Sequence, residues 1–211
     1  MVEHYAVKLA KRVRIHNVVV LSNDWYVLKK ATFSYCRQDG SWQTQSRETY
    51  DRGDGATILL YNLAERTVVL TRQFRFPTFA KGHDELLIET AAGLLDQTSP
   101  EARIRSEAEE ETGYRVKDVQ KVFEAFMSPG SVTEKLYFYV AEYQPHDLAA
   151  SGGGVEAEGE DIEVLELLFT DALDMIATGE IVDGKTIMLL QYAALNVFAE
   201  EVRLRSRKTQ L

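Results

Sequence analysis

A cluster of glutamates on one predicted helix constrains this chain more than any other feature. The stretch runs Glu89-Thr-Ala-Ala92-Gly93-Leu94-Leu-Asp96, continues through Ser99-Pro100-Glu101, and closes on Glu107-Ala-Glu-Glu110-Glu111-Thr-Gly113-Tyr114. Leu86 to Ile88 are apolar and suit a strand, and Gly93 permits a tight turn. Ser99 offers an N-cap oxygen, Pro100 suits the first helical position, and Glu101 favours the positive helix end. Gly113 is placed to end the helix. The segment therefore reads strand, loop, helix, stop. Within the helix Glu107 and Glu111 are four residues apart and Glu110 is three from Glu107, so the carboxylates share a face. Like charges at that spacing repel and destabilise an isolated helix. A hard divalent cation such as magnesium, which prefers oxygen ligands, removes the penalty. On the carboxylates alone, a solvated acidic face is the plainer reading.

The surrounding residues reverse that preference. Gly93 followed by Glu107 to Tyr114 resembles the Nudix box, whose pattern is Gly, five residues, Glu, seven residues, then Arg-Glu-apolar-any-Glu-Glu-any-Gly-apolar. The match departs from the pattern in three ways. It is one residue short between the two glycines, Ser106 stands at the Arg, and Thr98 or Ser99 stands near the first Glu. In the family those two groups brace the loop against the helix. The carboxylates for metal are all present. Further stretches extend the likeness: Tyr50-Asp-Arg-Gly53, Gly55 to Asn62, Arg72-Gln-Phe-Arg75, Met127-Ser-Pro-Gly130, Gly152-Gly-Gly-Val155, Asp161 to Glu166, and Asp183-Gly-Lys-Thr186. Together they resemble the GDP-mannose pyrophosphatase branch of the Nudix hydrolases over roughly residues 15 to 195, and the shortened box is itself similar to that branch.

The resemblance implies an α/β fold: a mixed-sheet α/β/α sandwich over residues 53–211, preceded by an antiparallel β subdomain over residues 1–52. It implies hydrolysis of a nucleoside diphosphate sugar at its pyrophosphate, GDP-mannose giving GMP and mannose 1-phosphate. Magnesium would be the cofactor, with manganese as the alternative cation. Its ligands would be the Ala92 carbonyl, Glu107 and Glu111, with Glu110 in support. Glu160 would be a third metal ligand or would position the attacking water. Two extra residues in its loop keep Glu158 as a rival for that role. Gly93, Leu94, Arg75, Glu134 and Lys185 would contact substrate, and Tyr26, Arg47 and Glu48 would do so from the partner subunit of a homodimer. Two other readings stand beside this one. ADP-ribose hydrolysis shares the fold and the box. A non-catalytic nucleotide-sugar sensor would be favoured by loss of a box carboxylate, and none is lost.

Composition bounds the remaining possibilities. With 211 residues, 45% hydrophobic and 27% charged, the chain suits one globular domain or a small domain beside a larger one. A net charge of −9 argues against general nucleic-acid binding, though not against a nucleotide brought in with a metal. Cys36 is the only cysteine, which excludes an internal disulfide and fits a reducing compartment. No apolar run approaches the roughly 18 residues that span a membrane. Met1 to Arg14 lacks the apolar core of a signal peptide, so a cytoplasmic location is expected.

The remaining chain supplies elements and further candidates. Residues 12 to 50 carry β-branched and aromatic residues in strand-like runs, with Asp39-Gly40 as a hairpin turn. Tyr26 there could equally be a half-buried strand aromatic, and Arg47-Glu48 a surface pair. Ala56 to Tyr61 and Thr67 to Leu70 read as buried strands. Arg72 and Arg75 follow, and the planar guanidinium suits phosphate. Pro77 to Asp84 reads as a turn-rich loop, with His83 exposed. Strands are expected within Lys117–Met127, Leu136–Tyr143 and Val164–Thr170. Helices are expected over Asp171–Thr178, capped by Thr170, and from Gly184 to about Arg205. The Ser151 to Gly154 run reads as a flexible hinge that swings a carboxylate into the site. Lys185 near a helix N-terminus is poorly placed unless an anion accompanies it.

Overall fold

Strand-forming residues dominate the first fifty positions, and they pair locally. In the computed structural model, which describes residues 9–95 and 98–199, β1 (Val13–Asn23), β2 (Val27–Cys36) and β3 (Trp42–Asp51) form an antiparallel sheet in that order. The β2–β3 connection turns at Gly40, whose φ of 83° is easy only for glycine. The Arg12 guanidinium closes one end of this sheet by donating to the Cys36 carbonyl at 2.6 and 2.9 Å. A remote segment joins it: the Tyr50 N–H donates to the Ser131 carbonyl at 2.8 Å. The described chain accordingly divides into two compact units. One runs to Asp54 and takes in Phe126–Lys135; the other comprises Gly55–Ala125 and the chain from Leu136 onward. The segment Phe126–Lys135 lies far beyond the sequence boundary at residue 52.

The larger unit is built on a mixed sheet. Its strands are β4 (Gly55–Asn62), β5 (Thr67–Gln73), β6 (Leu87–Glu89), β7 (Ala91–Leu94), β8 (Gln120–Phe126), β9 (Lys135–Glu142) and β10 (Glu163–Leu168). The order is β10-β5-β4-β9-β8, with β6 paired to β5 and β7 to β4. β4 and β9 are parallel, and β4–β5, β5–β10, β5–β6 and β4–β7 are antiparallel. β4 is buried almost throughout, as expected of a strand covered on both faces. Ala56, Ile58 and Leu60 join Val69, Tyr139, Ala141 and Tyr143 under Ile104 and Ala108 of α2 (Pro100–Thr112). Thr57 points the other way, toward α4 (Gly184–Asn196), through a hydroxyl chain: Thr57 Oγ1 meets Thr90 Oγ1 at 2.8 Å, and the Thr90 N–H donates to Thr186 Oγ1 at 2.8 Å. Helices therefore cover both faces, as the sequence implies.

Several boundaries differ from expectation for identifiable reasons. The loop expected over Pro77–Asp84 contains a short helix, α1 (Phe76–Ala80), because Pro77 falls in its first turn, where a missing N–H costs nothing. His83 is half-buried there rather than exposed. α3 (Phe169–Thr178) begins two residues before Asp171, so Thr170 lies inside the helix and is not its cap. α4 ends at Asn196, short of Arg205, and Asp183 caps its start by accepting from the Thr186 N–H at 3.0 Å. The Arg203–Lys208 tail lies outside the described residues, as does Asp96.

Candidate active site

The chain changes neighbours at Thr90, and that change assembles the site. β6 ends on Glu89 against β5, and β7 starts on Ala91 against β4, with Thr90 fastened to Thr57 and Thr186 between them. Ala92, Gly93 and Leu94 follow on β7, on which α2 packs. Gly93 leaves room for Glu107 at this crossing: a Cβ there would meet the Glu107 carboxylate, which would have to move aside. Ser99 caps α2 by accepting from the Ala102 N–H at 3.2 Å, and Gly113 ends it in the left-handed conformation.

The three box glutamates have different surroundings. Glu107 is 5% exposed and its Oε1 is ion-paired to Arg103, one turn earlier on α2. Glu111 is 2% exposed, and its Oε2 has no hydrogen-bond partner among the described residues. Burial and then the Glu107 carboxylate push its carboxyl from the ordinary 4.5 up to about 8. Arg75 opposes that rise, while Glu160 and Glu89 add to it. Glu110 is half-buried and accepts from Ser106 Oγ at 2.5 Å. Ser106, standing where the box has Arg, thus contacts the helix's own Glu110.

Beside these lies an ion network that the sequence reading did not foresee. Glu89, 4% exposed, accepts from Arg75 Nε at 2.7 Å and is also ion-paired to Lys185. Lys185 lies 3.0 Å from Asp183. The anion that Lys185 calls for at its helix N-terminus is therefore supplied by Glu89 and Asp183 of the chain itself. Glu89 had a signal available: a lone charge at the end of the apolar run Leu86–Ile88 is costly to bury unless paired. Arg103 had a weaker one, its i,i+4 spacing to Glu107.

Glu160 lies on a loop that differs from the hinge expected. Gly152, Gly153 and Gly154 all have positive φ, at 67°, 107° and 76°. The Gly153 N–H donates to the Glu111 carbonyl at 3.0 Å, and the Gly154 N–H to the Glu110 carbonyl at 3.1 Å. A Cβ at Gly152 would strike the backbone at Glu111 and Thr112. These glycines therefore act as a cap on the α2 carbonyls that helix geometry leaves unpaired. The cap tethers Glu160, which accepts from the Val155 N–H at 2.8 Å. The Glu158 side chain, the rival candidate, lies outside the described residues.

The smaller unit holds the other candidates. Tyr26 is half-buried, 5.8 Å from the Tyr50 ring, with the Arg52 guanidinium 5.6 Å over its own ring. Arg52 also pairs with Glu134 at 3.5 Å, so Tyr26 and Glu134 share one cation. Arg47 and Glu48 are exposed on β3, opposite Ala31 and Lys30, and Arg47 donates to the Ser46 carbonyl. The structure thus groups Tyr26 with Glu134 and leaves Arg47 and Glu48 on the sheet surface.

The donors suit a hard cation. Buried carboxylate oxygens, one without a partner, lie with a strand whose glycine gives way to Glu107. No three acidic, histidine or cysteine side chains among the described residues converge on one point as they stand. Glu107 and Glu89 are turned instead onto cationic neighbours and Glu160 onto a backbone N–H.

Comparison with known proteins gives the family. Residues 12–50 match the family model described as the GDP-mannose pyrophosphatase NudK N-terminal domain. A GDP-mannose pyrophosphatase of Klebsiella pneumoniae subsp. pneumoniae is 58% identical over 174 residues, 82% of this chain and 87% of that protein. That of Pectobacterium atrosepticum is 57% identical over 83% of this chain and 91% of its own length. The chain belongs to the GDP-mannose pyrophosphatase branch of the Nudix hydrolases. A Yersinia pestis member of that branch is 56% identical over 88% of this chain and 94% of its own. The crystal structure of an ADP compounds hydrolase shares the fold, with a TM-score of 0.68, 15% identity, and coverage of 91% of this chain and 97% of that one. Divalent-metal dependence is general to Nudix hydrolases.

Proposed function

We propose that this chain hydrolyses GDP-mannose with water to GMP and mannose 1-phosphate, with magnesium, or manganese in its place. The observation that carries the reading is Glu111: a buried carboxyl with an unpartnered oxygen, beside Glu107, on the box helix of a chain 56–58% identical to GDP-mannose pyrophosphatases. Glu107, Glu111 and the Ala92 carbonyl would hold the cation, with Glu110 in support. When bound, the cation neutralises pyrophosphate charge and lowers the pKa of water. The chain's own groups do the rest. Arg75 and Lys185 would offer N–H donors to the phosphates, with Glu89 holding both in place. Gly93 and Leu94 border the phosphates from β7. Glu160 positions the attacking water, held by the glycine cap. Glu134 would lie at the substrate, and Tyr26 would contact the nucleotide sugar from the partner subunit.

The test is phosphate release, coupled through a phosphatase, with magnesium and a panel of GDP-mannose, GDP-glucose, ADP-ribose and dinucleoside polyphosphates. We expect GDP-mannose to lead. A tenfold preference for ADP-ribose would reject the assignment, and no turnover of any member would favour a sensor.

The same reading includes a homodimer. β1 leaves Ile15, Val18, Val19, Val20 and Leu21 exposed, more apolar surface than a solvated strand ordinarily carries. In a dimer this unit would bring Tyr26, Arg47 or Glu48 to the partner's site. Light scattering should give twice the 23.9 kDa chain mass. A monomer fully active at nanomolar concentration would rule this out.

A further inference from the structure

The box departure at Ser106 removes a cation from α2, and the structure shows another one turn away. Arg103 lies on the same helix face as Glu107, four residues before it, and their side chains form an ion pair. The pair is sheltered: the Arg103 side chain is 26% exposed and that of Glu107 6%. Arg103 Nε is itself buried without a hydrogen-bond partner among the described residues, so the guanidinium is committed to this contact at a desolvation cost. The Glu107 oxygen of that pair, Oε1, also lies against Gly93, where a Cβ on that residue would stand. Glu107 thus lies against both a guanidinium and a strand backbone, on the face it shares with Glu111.

We infer that Arg103 is the positioning residue for Glu107, holding its carboxylate in the orientation that receives the divalent cation. This rests on the metal-site reading given above. A carboxylate has about four acceptor positions, so a guanidinium on one oxygen and a cation on the same group are compatible. Arg103 fixes the rotamer before the cation arrives and offsets part of the repulsion between Glu107 and Glu111. Ser106, whose hydroxyl is spent on Glu110, does neither. Arg105 is the natural comparison: it lies on the same helix but pairs with Glu101 at 2.8 Å and the Val116 carbonyl at 3.2 Å, away from the carboxylate cluster.

Manganese binding to the full chain, followed by electron paramagnetic resonance of the free ion, tests this without reference to activity. Arg103→Met keeps most of the side-chain volume and should weaken the manganese Kd by about 10–100-fold, the usual range for a group that orients a metal ligand. Arg103→Lys, which restores a cation, should recover part of that loss. Arg105→Met should leave the Kd unchanged even where it lowers the unfolding temperature. Circular dichroism confirms that each variant is folded, and Arg103→Lys carries the test if Arg103→Met is not. An unchanged Kd in both Arg103 variants would overturn the inference. A tighter Kd in Arg103→Met would also overturn it, because Arg103 would then be a competitor of the cation. A wild-type chain that took up no manganese would overturn the metal-site reading and this inference together; a failure confined to the Arg103 variants overturns this inference alone.

Discussion

Glu111 shows how one residue can be costly to the fold and useful to the site. Its folded carboxyl titrates near 8, against an ordinary 4.5, because burial and the Glu107 carboxylate both oppose its charge. The folded metal-free chain therefore holds a proton that the unfolded chain releases between those values. The stabilisation from this proton is fully present below about 4.5 and is lost as pH rises through about 8. A thermal melt series on metal-free protein should show wild-type stability falling relative to Glu111→Gln as pH rises across that window. Parallel pH profiles for the two proteins would contradict the burial and coupling described. A bound cation needs the carboxylate ionised, so metal affinity should rise with pH over the same interval. The residue scale is also where the sequence was most legible. Glu107 and Glu111 at i and i+4 are enough to place two carboxylates together. Glu89 was not legible as a partner of Arg75 and Lys185, because the pairing joins β6 to the start of α4 across 96 residues. No local pattern encodes such a contact.

Among elements, α2 was read almost to the residue, because it carries its own punctuation: Ser99 as cap, Pro100 in the first turn, Gly113 in the left-handed conformation. A cap of the Ser99 kind contributes about 1 kcal/mol. Elements whose limits depend on tertiary contacts were less legible. Leu86 to Ile88 reads as a single strand, yet the chain forms two short strands about Thr90 that pair with different neighbours. The hydroxyl contacts among Thr57, Thr90 and Thr186 fix that switch, and only the folded chain brings them together. The contacts of the glycine loop were not legible for a related reason. A Gly run has the composition of a flexible linker, and its conformational freedom is real in the unfolded chain. Here that freedom is used to place three successive positive-φ residues against the backbone of α2. The unpaired carbonyls of Glu110 and Glu111 then receive the loop N–H groups. A swing of the glycine run away from α2 would have to break these hydrogen bonds.

At the scale of the whole molecule, the chain contains a small antiparallel sheet and a larger mixed sheet, and sequence pattern distinguishes the two. Alternating β-branched and aromatic residues with an Asp39-Gly40 turn mark the first, while continuous apolar runs such as Ala56–Tyr61 mark the second. The return of Phe126–Lys135 to the smaller unit was not legible, because it rests on backbone hydrogen bonds to Tyr50 that any sequence could make. The net charge of −9 does not prevent a nucleotide substrate, since a bound cation would invert the local field. The central claim is that the α2 carboxylates are the metal centre of a GDP-mannose pyrophosphatase. It is tested most directly by kcat for GDP-mannose at saturating magnesium, wild type against Glu111→Gln. The substitution keeps shape and removes one charge. We expect kcat to fall by about 10²–10⁴-fold while the unfolding temperature of the metal-free protein holds or rises at neutral pH. A Glu111→Gln variant that turned over GDP-mannose at near-wild-type kcat would contradict the assigned metal centre.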